Sequence, residues 1–250
     1  MKGPDSGASA LFIADVHLRS SGADERQERL EKFLDHFAGR VETLFILGDL
    51  FDYWMGNLDD YREQYDRVFE ALGRFAQKSR IVFLHGNRDI FIGDRLPRGI
   101  RGEVHWDAIT RRLGRYNVYL CHGHLLCTAD KGVRFLERAF HNRFTLWVNN
   151  QMPIDLRLYY TRGLRRFSDR AKPRKAVILK PDEEAMARVF SRDIDVIVSG
   201  HFHQFDERKF QMRLGAGERE KRLFLLGEWS QGCPYLLFDG ERFSLGNFGG

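Results

Sequence analysis

The chain has 250 residues, 43% hydrophobic and 30% charged, with a net charge of +5; such a composition excludes disorder and fibrous repeats. A chain of this length buries about 70% of its unfolded surface and needs neither disulfides nor a structural metal merely to fold. Apolar runs reach only five residues, Ala10 to Ala14, too short for a membrane-spanning helix. The opening MKGPDSGASA carries no signal-peptide core, and the three cysteines, Cys121, Cys127 and Cys233, form no C-x-x-C pair. A reducing, cytoplasmic setting is the expectation.

In chain order, Ala10–Ala14 reads as a buried strand and Glu25–Ala38 as a helix with Leu30, Phe33, Leu34 and Phe37 on one face. Thr43–Leu47 is a second strand, Tyr61–Gln77 a second helix and Ile81–Leu84 a third strand. This βαβαβ order predicts a parallel sheet. Asn117–Cys121 and Asp195–Val198 add strands. After residue 204, Arg208–Leu214 and Arg222–Leu226 flank Gly215-Ala-Gly217 as a hairpin, and Tyr235–Phe238 and Arg242–Leu245 flank Asp239-Gly240.

The segment 131–180 stands apart. It holds thirteen Lys or Arg against Glu137, Asp155 and Asp169, a net +10 in a chain whose total is +5. Charge so concentrated implies an anionic partner: nucleotide phosphate, acidic lipid or nucleic acid. Val133, Leu136, Phe140, Phe144 and Trp147 recur at helical steps until Pro153 breaks the run. Aromatic residues interleaved with arginines suit an amphiphile groove or a membrane face, or an ordinary insert on the core.

Five predicted strands end in residues able to bind a metal: Asp15-Val-His17, Gly48-Asp49, Gly86-Asn87-Arg88-Asp89, His122-Gly-His124 and Gly200-His201-Phe-His203. Donors at the carboxyl ends of neighbouring strands converge on one crevice. Asp15, His17, Asp49, Asn87, His122, His201 and His203 are seven oxygen and nitrogen donors, too many for one ion, and suit Mn, Fe, Zn or Mg. Two ions sharing Asp49 would use all seven.

This set resembles the calcineurin-like binuclear metallophosphoesterases, from residue 10 to residue 230. The resemblance implies an α/β/β/α sandwich of two packed mixed sheets. It also implies that Asp15, His17, Asp49 and His203 hold one metal ion and Asp49, Asn87, His122 and His201 the other, with Asp49, Asn87 and Arg88 serving catalysis. The whole of 1–250 is then one domain, with 131–180 as an inserted helical cap.

Within that family, Arg88 in Gly86-Asn-Arg-Asp89, Gly48-Asp-Leu-Phe-Asp-Tyr-Trp54, Leu126-Cys-Thr-Ala-Asp130 and Leu226-Gly-Glu-Trp229 are similar to the UDP-2,3-diacylglucosamine diphosphatase family of lipid A synthesis. That narrower resemblance implies hydrolysis of a UDP-linked lipid sugar to UMP and a lipid sugar 1-phosphate by a hydroxide held between two metals, manganese ahead of iron, zinc or magnesium. Asn87, Arg88, Asp130, Ser168 and Arg174 or Lys175 would contact substrate, and the cap would rest on the anionic cytoplasmic face of the inner membrane. His122-Gly-His124 departs from that family's His-Gly-Asp. Arg88 reads either as a fork for phosphate oxygens or as a salt bridge to Asp89 or Asp52. Asp52 and Asp89 read as groups that orient ligands, His85 and His124 as core or ligand-supporting residues, and His36, His105 and His141 as surface residues. Two other functions stay open: a nuclease or general phosphodiesterase whose basic segment tracks nucleic acid, and a non-catalytic scaffold of the same fold.

Overall fold

The structure, a computed structural model, describes residues 9–19, 24–52, 54, 62–89, 92, 93, 96, 100–127, 143–153, 156, 159, 163, 180–214 and 217–249. Its strands in chain order are β1 (Ala10–Ile13), β2 (Thr43–Leu47), β3 (Arg80–Leu84), β4 (Gly102–His105), β5 (Ile109–Leu113), β6 (Tyr116–Cys121), β7 (Val196–Ser199), β8 (Asp206–Leu214), β9 (Gly217–Leu225), β10 (Cys233–Phe238) and β11 (Phe243–Phe248). The helices are α1 (Glu25–Phe37), α2 (Arg62–Ala76), α3 (Arg143–Gln151) and α4 (Glu183–Phe190).

β1 is wholly apolar, and β2 and β3 are apolar after their first residues, Thr43 and Arg80, because both faces are buried there. Leu11, Ile13, Leu44, Ile46, Ile81 and Phe83 pack outward under α1 and α2, while Phe12, Phe45, Leu47, Val82 and Leu84 point inward; a strand's two-residue period divides them. β1, β2 and β3 pair in parallel, and the full sheet runs β11-β10-β1-β2-β3-β4. The second sheet runs β5-β6-β7-β9-β8. Its inward residues Val118, Leu120, Val196, Val198 and Phe224 meet the first sheet, and its outward residues Cys121, Ile197, Leu223 and Leu225 pack on Met186, Val189 and Phe190 of α4. The result is the α/β/β/α sandwich.

The helices start where their sequences say they should. Asp24 accepts from the Arg26 N–H at 3.1 Å, and Glu25 and Glu28 lie in the first turn of α1; acidic groups there complement the exposed N–H ends and the helix dipole. Asp182 caps α4 in the same way, accepting from the Ala185 N–H at 2.8 Å. α4, β4 and β5 are additional to the elements expected from sequence. β4 and β5 hold exposed or half-exposed polar residues in place of an apolar run. β9 begins at Gly217 and not at Arg222, because β8 pairs with it from Gly217 onward although β7 reaches only Arg222–Leu225. The first half of β9 pairs with β8 alone and shows no buried pattern. Lys221 is nevertheless fully buried, its ammonium 3.2 Å from Asp195.

Of the aromatic stripe, Phe144 and Trp147 lie on α3, are 72% and 59% exposed, and stack with ring centroids 6.1 Å apart. Val133, Leu136, Phe140 and His141 lie outside the described residues. No described helix is long and apolar enough to cross a membrane.

Phe12 is fully buried between the sheets and stacks on Phe45 at 5.0 Å. Phe12→Ala is expected to cost about 3–5 kcal/mol of unfolding free energy, read as a lower denaturation midpoint at unchanged denaturant slope.

Candidate metal centre

The carboxyl ends of β1, β2, β3, β6 and β7 meet at one edge of the sandwich. Past β1 the chain presents Asp15 and His17, with the Asp15 N–H donating to Gly48 C=O at 3.2 Å and the His17 N–H to Asp49 C=O at 3.0 Å. These bonds prolong the β1–β2 pairing into the two loops. Asp15, His17, Asp49, His201 and His203 all adopt left-handed backbone conformations, with φ between +52° and +72°. Such a conformation costs a non-glycine residue of order 1–3 kcal/mol, and it turns successive side chains toward one point. Gly86 allows the close approach of the next loop: a Cβ there would lie 2.1 Å from Asp49 Oδ1.

The donors fall into overlapping groups. His203 Nε2 lies 3.6 Å from Asp15 Oδ1 and 3.5 Å from His17 Nε2, and His17 Nε2 is 3.7 Å from Asp15 Oδ1. His122 Nε2 lies 3.7 Å from Asp49 Oδ2 and 2.8 Å from Asn87 Oδ1, which is itself 3.2 Å from His201 Nδ1. Asp15, His17 and His203 form one cluster of mutually close donors, and Asp15, Asp49 and His122 a second. Asp15 Oδ1 and His17 Nδ1 are buried with no hydrogen-bond partner, a costly state for polar atoms unless a cation satisfies them. An all-oxygen-and-nitrogen set fits hard or borderline divalent ions. The residues present fit two such ions.

Neighbouring groups fix the donors. Asp89, fully buried, accepts from the Leu50 N–H at 2.8 Å and the Gly86 N–H at 2.7 Å, joining the loops that carry Asp49 and Asn87. His122 Nδ1 meets Leu47 C=O at 2.9 Å, which leaves Nε2 for the centre. The Arg88 N–H donates to Asp49 Oδ1 at 2.9 Å; its guanidinium pairs with Asp52 and places Nε 3.7 Å from Asp49 Oδ2.

The charges follow from this crowding. Burial raises the Asp15 carboxyl to about 6, against the pull of His122 and His203. Burial, reinforced by Asp49, raises Asp89 to about 7. Burial and the Arg88 charge hold His17 well below the usual imidazole range. For His122, burial acts downward but Asp49 and Asp15 outweigh it, and its pKa rises.

Residues 8–205 match the family model described as Calcineurin-like phosphoesterase. The chain belongs to that family. Curated relatives named UDP-2,3-diacylglucosamine hydrolase include one from Pseudomonas aeruginosa strain UCBPP-PA14, 34% identical over 89% of this chain and 92% of its own. Another, from Pseudomonas savastanoi pv. phaseolicola, is 32% identical over 95% of each. Among solved structures, the zinc complex of Vps29 from Entamoeba histolytica aligns with 96% of this chain and 91% of its own, at 16% identity and a TM-score of 0.45.

In this phosphoesterase all seven sequence-derived donors converge, with Arg88 beside Asp49. Asp130, Ser168, Arg174 and Lys175 lie outside the described residues. His85 is buried against Trp106, with Nε2 2.9 Å from Gly93 C=O, and His124 is buried 6.1 Å from the His122 ring. His36 is exposed. His105, expected at the surface, is half-buried, because β4 places it between Glu103 and Arg111, 3.2 and 3.4 Å away. Two residues escaped the sequence reading. Glu228 sits 2.9 Å from His203 Nδ1, and Arg26 donates to His17 C=O at 3.1 Å. Neither has a spacing that marks it; Glu228 shows only as part of Leu226-Gly-Glu-Trp229.

The raised Asp15 carboxyl sets a pH dependence. With a folded-state pKa of about 6 against an ordinary 3.8, the metal-free fold binds this proton more tightly than the unfolded chain. Its contribution is therefore favourable below about 4 and is lost as pH rises through 6. A cation must displace that proton, so metal binding is favoured above pH 6. Saturating manganese should raise Tm more at pH 7.5 than at pH 5, measured by scanning calorimetry with a chelated control.

Proposed function

We propose that the chain hydrolyses the pyrophosphate bond of UDP-2,3-diacylglucosamine, giving UMP and 2,3-diacylglucosamine 1-phosphate, with manganese as the working metal. The observation that carries the reading is the match to relatives of that name over 89–95% of the chain, well beyond the metal-binding residues alone. In this reading Asp15, His17, Asp49 and His203 hold one ion, and Asp49, Asn87, His122 and His201 the other. Ions held there would supply Lewis acidity to a water and positive charge to phosphoryl oxygens.

The remaining work falls to the chain's own groups. One water adds to one phosphorus as the bridging P–O bond breaks, the second phosphate departs with the bond's electron pair, and the proton that the water gives up passes to solvent or to that departing phosphate. Arg88 would offer N–H donors to that departing charge. Its guanidinium is 10% exposed and held by Asp52, so little reorganisation is needed when charge develops. Asn87, held between His122 and His201, would orient a phosphoryl oxygen. Asp130, Ser168, Arg174 and Lys175 would contact the sugar and its phosphates, and the segment 131–180, with Phe144 and Trp147, would take the acyl chains. The basic excess of that segment would hold the enzyme on an anionic membrane face, each such residue contributing about 1 kcal/mol near the surface.

Arg88→Ala should lower kcat by about 10²–10³ at unchanged metal content; loss of bound metal would make Arg88 structural. A substrate panel tests the whole reading: UDP-2,3-diacylglucosamine in detergent, a soluble UDP-sugar, an aryl phosphodiester and single-stranded DNA, each with manganese and with chelator. The lipid substrate should be hydrolysed fastest, with all turnover abolished by chelator. Faster cleavage of DNA or of the aryl diester would replace the lipid reading with a nuclease or general phosphodiesterase, and no turnover of any substrate would favour a scaffold.

A further inference from the structure

The four histidines of the centre are held in different ways. His122 is fully enclosed, its side chain 0% exposed, and a backbone carbonyl holds its far nitrogen. His17 is 6% exposed and fixed by packing, and His201 is 9% exposed with Nδ1 near Asn87. His203 is the outlier, with 34% of its side chain open to solvent. Packing alone leaves such a ring free to rotate and to expose either nitrogen. Its far nitrogen meets a carboxylate at hydrogen-bond distance, Glu228 Oε2 at 2.9 Å from Nδ1.

We propose that Glu228 is a positioning residue for His203: its carboxylate takes the Nδ1–H and so presents the Nε2 lone pair to the cluster of Asp15 and His17. A histidine that ligates a metal through one nitrogen is commonly held through the other by a carboxylate, which fixes its tautomer and raises its basicity. The loop that carries Glu228 is itself tied to both sheets. The Leu226 N–H donates to Ser199 C=O at 2.8 Å, and the Trp229 N–H to Asp15 C=O at 3.2 Å. Glu228 thereby has a fixed relation to the two strand ends whose side chains it brings together. Arg26, at the start of α1, grips Val16 and His17 through their carbonyls at 3.4 and 3.1 Å, and its charge also acts on Glu228.

This inference rests on the reading of His203 as a metal donor, and the test separates the two. Manganese binding is measured by chelator competition on wild type, Glu228→Ala, Glu228→Gln, His203→Ala and the double variant Glu228→Ala with His203→Ala. Glu228→Ala should weaken one of two binding steps about 10- to 100-fold, with the metal-free Tm unchanged. Glu228→Gln, which keeps an acceptor oxygen without the charge, should fall between it and wild type. In the His203→Ala background, Glu228→Ala should have no further effect. Unchanged binding in Glu228→Ala alongside weakened binding in His203→Ala would overturn the positioning role alone. Unchanged binding in His203→Ala would overturn the metal-donor reading beneath it. Equal weakening by Glu228→Ala with and without His203 would show that Glu228 acts through the fold and not through this ring.

Discussion

Three carboxylates, Asp15, Asp49 and Asp89, are no more than 2% exposed at the ends of adjacent strands, and most of the surrounding arrangement answers to their burial. Desolvating charge of one sign is unfavourable by several kcal/mol per group unless partners of opposite sign and directed hydrogen bonds offset it. Arg88 lies against Asp49, backbone N–H groups meet Asp89 and Asp15, and imidazoles fill the space between. Even with these partners Asp15 and Asp89 keep raised pKa values. Protein groups leave the negative charge only partly balanced, and divalent ions would supply the remainder. The same surplus that makes the metal-free site unfavourable would favour the binding of divalent cations.

Much of this was legible before any coordinates. A strand buried on both faces announces itself as an apolar run, so β1, β2, β3 and β7 could be read directly, and six of the seven donors followed because they stand just beyond such a run; His122 follows the partly exposed β6. Asp15-x-His17 and His201-x-His203 also carried their own geometry, since residues two apart at a strand end face one way. What the sequence hid has a common cause. Glu228, in a loop, and Arg26, at the start of α1, act through single tertiary contacts, with His203 and with the carbonyls of Val16 and His17, and a lone polar residue has no periodic partner to betray it. β4 and β5 lie at sheet edges, where polar residues are tolerated and the alternation is diluted. The pairing of Arg88 with Asp52 is an intermediate case, since both partners were visible and only the choice between Asp52 and Asp89 was not.

The backbone tells the same story as the charges. Among the described residues, five of the six non-glycine positions with positive φ belong to the centre, the sixth being Asp193. Glycine would adopt those conformations without steric penalty, but glycine brings no donor atom. The chain therefore keeps aspartate and histidine in an unfavourable conformation and relies on the rigid strands behind them to maintain it. Stability is given up locally where ligands must converge, and the cores on both sides of each sheet offset it.

The two sheets contribute separately to the centre. Asp15, His17, Asp49 and Asn87 come from the first, and His122, His201 and His203 from the second, with the wholly apolar inner core between the sheets elsewhere. An ion held by both sets would add a cross-link between layers whose inner contact is mainly apolar and non-directional, with directional bonds such as Arg111 to Glu103 at its margins. Apolar interfaces can slide or breathe at small cost, whereas a coordination shell resists both movements. The centre would then act as a clasp at one edge of the sandwich, and the layers would separate most readily at the opposite edge, where no clasp exists. Slow exchange of backbone amides should thus be graded across the molecule, from the clasped edge to the open one, and steepened by occupancy of the site.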